Sequence, residues 1–148
     1  SGDPAKSQSF EVPVQISATD NITVKAFFSN NNLDPRISCN KVFPVNRVVP
    51  KTQAIANAAL EELLKGLPDK EITAGYYTSI NPGVKVQKLT ILNGVAKVDF
   101  DETLQQTVGG SCRVSAIRAQ ITQTLIQFSS VKSVIISING RTEDILQP

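Results

Sequence analysis

Three carboxylates, Asp99, Asp101 and Glu102, crowd one short stretch, and carboxylates set close together are the equipment of acid–base hydrolysis, as in glycosidases. That chemistry needs a cleft or a charged neighbour to drive their proton affinities apart, and the sequence names neither, so a solvated turn is the expectation. The 148 residues contain no histidine. This removes the commonest general base, the usual partner of a Ser or Cys nucleophile, and the imidazole ligands of catalytic zinc or iron. Asn30, Asn32 and Asp34 alternate like the start of an EF-hand loop, yet Pro35 stands where glycine is required and Lys41 where the bidentate Glu belongs. Asx-type turn chemistry accounts for them better. Gly109-Gly110-Ser111, with Arg113 nearby, could cradle an anion at a helix start, but the spacing and the Lys-Ser/Thr of a phosphate loop are missing. The expectation is a protein that is not an enzyme, with no cofactor and no metal.

Cys39 and Cys112 are the two thiols. They lack CxxC spacing, and without histidine they make a poor zinc site. Either they are separately buried, or they form one disulfide in an exported protein. Closing a loop of roughly 70 residues would stabilise the fold by about 4 kcal/mol in the chain-entropy model. A free Cys112 in a first helical turn would instead be activated by the helix dipole. The adjacent Tyr76 and Tyr77 could stack on a sugar ring, which is the basis of a glycan-binding reading; the plainer alternative puts one ring in the core and one on the surface.

Composition bounds the partners. With 41% hydrophobic and 19% charged residues the chain reads as a soluble globular domain, and no apolar run approaches the ~20 residues of a membrane span. A net charge of +2, with both signs interspersed, gives no footprint for nucleic acid. One domain is the natural division of this length.

The elements that would position these residues start from Lys88–Phe100. Asn93-Gly94 suits a two-residue type I′ turn, which sets Ile91 opposite Ala96, Leu89 opposite Val98, Thr90 opposite Lys97 and Lys88 opposite Asp99. One face is apolar and the other polar with an opposite-charge pair. A change of phase between Val86 and Leu89 predicts a bulge near Gln87. Ile22–Phe28 alternates as a half-buried strand, and Lys41–Val49 is strand-like but confined to an edge by Pro44. A helix starts at Pro50-Lys51-Thr52, buries Ile55, Ala56, Ala59, Leu60, Leu63 and Leu64, and ends at Gly66 and Pro68. Asp69–Ala74 is a single helical turn. A second long helix follows Ser111 as N-cap and buries Val114, Ile117, Ile121, Leu125 and Phe128. Val131–Ile138, apolar on both faces, reads as a central strand. The predicted fold class is α+β, a small mixed β-sheet with two long helices packed on one face. Residues 1–21, in which Phe10–Val14 alternates around Pro13, read as a flexible tether or an edge strand, and residues 22–148 as the domain.

Several blocks carry a family resemblance: ISCNKVFPVNRVVPKTQ (Ile37–Gln53), AALEELLKG (Ala58–Gly66), GVAKVDFDE (Gly94–Glu102), GGSCRVSAIRAQITQTL (Gly109–Leu125) and SVIISINGRTEDILQP (Ser133–Pro148). In order and spacing they resemble the GerMN, or Germane, domain of bacterial sporulation, germination and envelope lipoproteins, from about Ile22 onward. The resemblance implies a fold related to ring-building motifs and a non-catalytic assembly role, with envelope proteins or further copies as partners. It also implies an exported chain on the outer side of the membrane, its export signal removed and the full-length protein lipid-anchored, with membrane contact only through that N-terminal anchor, and so favours the Cys39–Cys112 disulfide. The alternative function is binding of peptidoglycan through Tyr76 and Tyr77. The family supplies no catalytic residues to carry over.

Overall fold

A computed structural model describes residues 20–147. The tether or edge strand expected within residues 1–21 falls almost wholly outside the described residues. The strands are β1 (Asn21–Asn30), β2 (Phe43–Pro50), β3 (Tyr76–Tyr77), β4 (Val86–Leu92), β5 (Val95–Phe100) and β6 (Ser133–Ile138). The helices are α1 (Ile55–Leu64), α2 (Asp69–Thr73) and α3 (Ser111–Ile126), with a 3-10 turn at Glu102–Gln105. The class is α+β, as expected, but the strands divide between two three-stranded sheets instead of joining in one small mixed sheet. One sheet runs β2-β1-β3 and is antiparallel; the other runs β4-β5-β6, with β5 and β6 parallel.

The division has a local cause at β1. β3 covers only Ser29 and Asn30, and border groups of Lys25 and Phe27 are met by side chains of α3 and of Gln127, its C-cap. Gln127 pairs with Lys25 through both amide atoms: its Oε1 accepts from Lys25 N at 3.0 Å and its Nε2 donates to Lys25 O at 2.6 Å. Thr124 Oγ1 accepts from Phe27 N at 3.2 Å, and Gln120 Nε2 donates to Phe27 O at 3.1 Å. A helix thus answers the peptide groups that a fourth strand would have answered, and the sheet stops. Gln120 and Thr124 are fully buried, a cost tolerable because their polar atoms are bonded.

One core joins both sheets and both long helices. Ala26 and Phe28 of β1, Leu60 and Leu63 of α1, Ile117, Ile121 and Leu125 of α3, and Val98, Phe100 and Ile138 of the second sheet are all buried in it. Small Ala56 and Ala59 bring α1 close to its neighbours, Ala59 packing with Val24 and Val49. The hairpin keeps the expected register pair for pair, with Asn93 at φ 53° and Gly94 at φ 81°, and the ladder shifts between Val86 and Lys88 as expected near Gln87.

Other elements depart from expectation. α1 begins at Ile55, not at Pro50, because Pro50 is the last residue of β2, paired with Asn21, and Thr52 Oγ1 holds a turn by accepting from Ala54 N. Gly110, at φ 86°, is the N-cap of α3, and Ser111 is already helical. β6 lies at the end of its sheet and β5 takes the centre; Ile136 and Ile138 are buried as expected, but Ile135 is 41% exposed.

Candidate functional site

The carboxylates that opened the hydrolase reading each hold a turn. Asp99 Oδ1 accepts from Ser137 Oγ at 2.6 Å and from Gly140 N at 2.7 Å. Asp101 Oδ1 accepts from Lys85 N at 3.3 Å. Glu102 accepts from the Gln105 side chain and, through Oε1, from Asn139 Nδ2 at 3.4 Å and Arg141 Nη2 at 3.3 Å. Asp99 and Glu102 therefore grip the Asn139–Arg141 turn, while Asp101 fastens the start of β4.

The loop after β1 is likewise turn chemistry. Asn30 Oδ1 accepts from Asn32 N and Leu33 N at 2.7 and 3.0 Å, and Asp34 accepts from Ser38 N and Oγ at 2.7 and 2.9 Å. Both asparagine amides reach Ala74 O, so a side chain at Gly75, φ 102°, would meet Asn32 Nδ2 at 2.7 Å. Among the described residues no group of three or more Cys, Asp or Glu is placed to hold a metal ion. Arg113, proposed as an anion ligand, donates to Ser79 O and Asn81 Oδ1.

Cys39 and Cys112 are joined in a disulfide, with Cα atoms 4.8 Å apart. The bridge ties the β1–β2 loop to the first turn of α3, and Tyr77 lies beside it in a shallow hollow with Ile37 and Arg113. Tyr76 packs against the core. The two tyrosines are neighbours on a two-residue strand, and both are half-buried.

Arg47 of β2 and Glu71 of α2 form a two-pronged pair at 2.8 and 2.6 Å, and the guanidinium carbon stands 5.8 Å from the centre of the Phe28 ring. The hydrogen bond to Glu71 raises the pKa of Arg47 above its ordinary value, against a smaller opposing effect of burial. The pair fastens the short α2 to the first sheet.

β4, an end strand of the second sheet, presents an open border beside a groove. In β4 the side chains of Val86, Leu89 and Ile91 turn inward, opposite buried Phe100, Val98 and Ala96, yet Leu89 is half-buried and Ile91 is 38% exposed. The helices do not reach over them. Between this face and the N-terminal half of α1 runs a groove of about 520 Å³, lined by Gln53, Ile55 and Asn57 on one wall and Val86, Leu89 and Ile91 on the other. A neighbouring hollow sets Glu61, Leu64 and Lys65 against Gly83–Val86, so α1 runs antiparallel to β4, its first turn facing the Ile91 end. In a hairpin closed by Asn93-Gly94, Leu92 and Val95 exchange hydrogen bonds, so the main-chain groups of Leu89 and Ile91 point away from β5, out of the sheet. No proline interrupts β4.

The border of β2, the edge expected within Lys41–Val49, is less accessible to an added strand. Lys25 and Phe27 turn their peptide groups toward α3, so their partners Asn46 and Pro44 turn theirs outward. By the same alternation Pro44, Asn46, Val48 and Pro50 make up this border, which offers N–H groups only at Asn46 and Val48. The uncovered β4 face was hidden in the sequence because Leu89 and Ile91 read as ordinary core residues; nothing in the hairpin says how far the helices extend over it.

The arrangement defines an α+β domain in which the open border of β4 lies beside a groove of mixed apolar and polar lining. Residues 25–144 match the family model Germane, described as "Sporulation and spore germination", and the chain belongs to that family. Among solved structures it is similar to the tandem GerMN domains of the sporulation protein GerM from Bacillus subtilis, at 26% identity and a TM-score of 0.63. That match covers 82% of this chain and 40% of the tandem structure. It is also similar to the first GerMN domain of the same protein, at 26% identity and a TM-score of 0.60, over 82% of this chain and 85% of that one. A lipoprotein-described structure from Clostridium perfringens shares the fold at 13% identity and a TM-score of 0.55, over 91% of this chain and 86% of that one. No curated protein sequence matches.

Proposed function

We propose that this chain is a non-catalytic interaction module of the cell envelope, serving a sporulation or germination process, and that it engages protein partners through β4. The observation that carries the reading is the border of Leu89 and Ile91: unpaired by β5, free of proline, and lying beside a groove in which Ile55, Val86, Leu89 and Ile91 supply apolar surface. An extended segment added there gains main-chain hydrogen bonds from the border and side-chain burial from the groove, the two sources of affinity in strand addition. The family description and the relatives' titles support the process, and the lipoprotein title supports the envelope. The disulfide supports an oxidising compartment outside the cytoplasm. The described helices include none long and apolar enough to cross a membrane.

The experiment captures envelope proteins from the native cells with the intact chain, with Ile91→Asp and with Ile135→Asp. Both side chains are comparably exposed, at 38% and 41%, but only Ile91 lines the groove. A partner retained by wild type and Ile135→Asp and lost by Ile91→Asp is the expected result. Equal retention by both variants, or a chain that retains nothing, overturns the reading.

A further inference from the structure

The β4 border matches a second copy of itself, and this inference rests on the interaction reading of β4. The strand is not straight along its whole length. Its ladder to β5 shifts between Val86 and Lys88, and the Asn93-Gly94 turn closes the other end, so the regular stretch is Lys88–Leu92, with Thr90 at its middle. Leu89 and Ile91, one on either side of Thr90, are the residues of this stretch whose main-chain groups point out of the sheet. A border whose donors and acceptors are placed evenly about one residue fits an inverted copy of itself.

We propose that two copies of this chain pair β4 to β4, antiparallel, about a two-fold axis through Thr90. Leu89 of each copy then lies opposite Ile91 of the other and exchanges main-chain hydrogen bonds with it in both directions, and the two three-stranded sheets become one continuous sheet. Other registers fit worse. An axis between two residues sets inward side chains opposite outward ones. An axis at Leu89 places the two Lys88 side chains on a diagonal, where like charges repel, and an axis at Ile91 spends Leu89 on the Asn93-Gly94 turn.

The side chains agree with the main chain. On the inner face Leu89 meets Ile91 of the second copy, beside the apolar surface that Ile55 and Val86 give the groove. On the outer face Leu92, at 72% the most exposed large apolar side chain among the described residues, lies opposite Lys88 of the second copy, whose aliphatic stem covers it. The same register brings the Val86 end of each groove, where Glu61 stands, toward the hairpin turn of the other copy, where Lys132 lies beside Gly94. Unlike charges therefore share each end of the interface. Pairing of this kind covers a border that would otherwise template indiscriminate association.

Sedimentation of the intact chain over a range of concentration tests this, with Leu92→Lys and Leu92→Glu as variants. Leu92 belongs neither to the packed core nor to the groove lining, and the two variants lose the same apolar contact and differ in the charge set opposite Lys88. The expected result is a concentration-dependent dimer of wild type and a dissociation constant about tenfold or more higher for Leu92→Lys than for Leu92→Glu. Cross-linking gives a second readout. Two copies of residue 90 on the axis form a non-hydrogen-bonded pair with Cα atoms about 4.5 Å apart, within reach of a disulfide, whereas two copies of residue 92 stand roughly 13 Å apart along the strands. Mild oxidation should therefore link Thr90→Cys in pairs and leave Leu92→Cys unlinked. A wild type that stays monomeric at every concentration overturns the proposal, as does equal dimerisation of the two Leu92 charge variants or linking of Leu92→Cys in place of Thr90→Cys. A monomer that still loses an envelope partner on Ile91→Asp removes the second copy as occupant and leaves the interaction reading of β4 in place.

Discussion

Replacing Gln120 by methionine keeps the length and approximate volume of the side chain and removes its polar atoms. In the native structure Gln120 Oε1 accepts from Ser79 N at 2.9 Å, and Nε2 donates to Phe27 O at 3.1 Å and to Thr78 Oγ1 at 2.9 Å. Gln120 has no exposed surface. Thr78 Oγ1 still accepts from Ile80 N at 3.2 Å, but Ser79 N–H and Phe27 C=O lose their partner in place. Each buried orphan costs about 1–3 kcal/mol, so the substitution should destabilise the domain by about 3 kcal/mol. Against a typical domain stability of ~5–15 kcal/mol this is a large fraction. With a urea slope of ~1.5 kcal/mol/M it moves the unfolding midpoint down by about 2 M. Gln123, exposed on the same helix, provides the matched control: Gln123→Met should change stability by less than ~0.5 kcal/mol. Urea unfolding of the three chains decides the matter. Equal midpoints for Gln120→Met and Gln123→Met would refute the claim that α3 side chains substitute for a missing strand.

Reducing the Cys39–Cys112 bridge, which links residues 73 apart, should cost about 4 kcal/mol, read as a lower melting temperature in reductant that Cys39→Ala/Cys112→Ala reproduces without it. Arg47→Met leaves Glu71, with 14% of its side chain exposed, without its cation; a loss of about 1–3 kcal/mol is expected, and Arg47→Met/Glu71→Leu should recover part of it in a double-mutant cycle. The stability due to Arg47 carries no pH dependence near neutrality. A raised pKa gives stability that is complete below the unfolded value and lost only as pH rises through the folded one, both at strongly alkaline pH, so a melting series across pH 6–9 should show the same difference between wild type and Arg47→Met/Glu71→Leu throughout. Gly94→Ala meets Lys132 Cγ at 3.1 Å and holds a positive φ, so it should cost about 1 kcal/mol in thermal unfolding.

Local chemistry was legible where neighbours along the chain decide the outcome. Asn93-Gly94 and the alternation on either side fix a register that the structure repeats at each expected pair, and the turns around Asn30 and Asp34 form from the side chains that predict them. The single sheet was not legible as two because its limit depends on Lys25 meeting Gln127, residues 102 apart, and a glutamine on a helix carries no mark of a strand partner. Gln120 and Thr124 were absent from the expected buried face for the same reason: apolar periodicity finds Ile117 and Ile121 and is blind to polar groups buried by pairing. Of the expected site residues, Cys39 and Cys112 meet, Tyr76 packs against the core and Tyr77 borders the hollow beside the bridge. The groove arises where two helices fall short of a third strand, a matter of reach between elements that no one of them encodes.

The sulfur bridge sets an order of events for synthesis. If the chain crosses a membrane N-terminus first, Cys39 reaches the far side while its mate is still 73 residues behind. During that interval the thiol stands alone among oxidants, open to mixed disulfides with small thiols or with another emerging chain, and the locked form becomes available only after α3 has begun to emerge. The yield of correctly bridged protein should therefore respond to how fast the chain is delivered and to any catalyst that reshuffles wrong pairings.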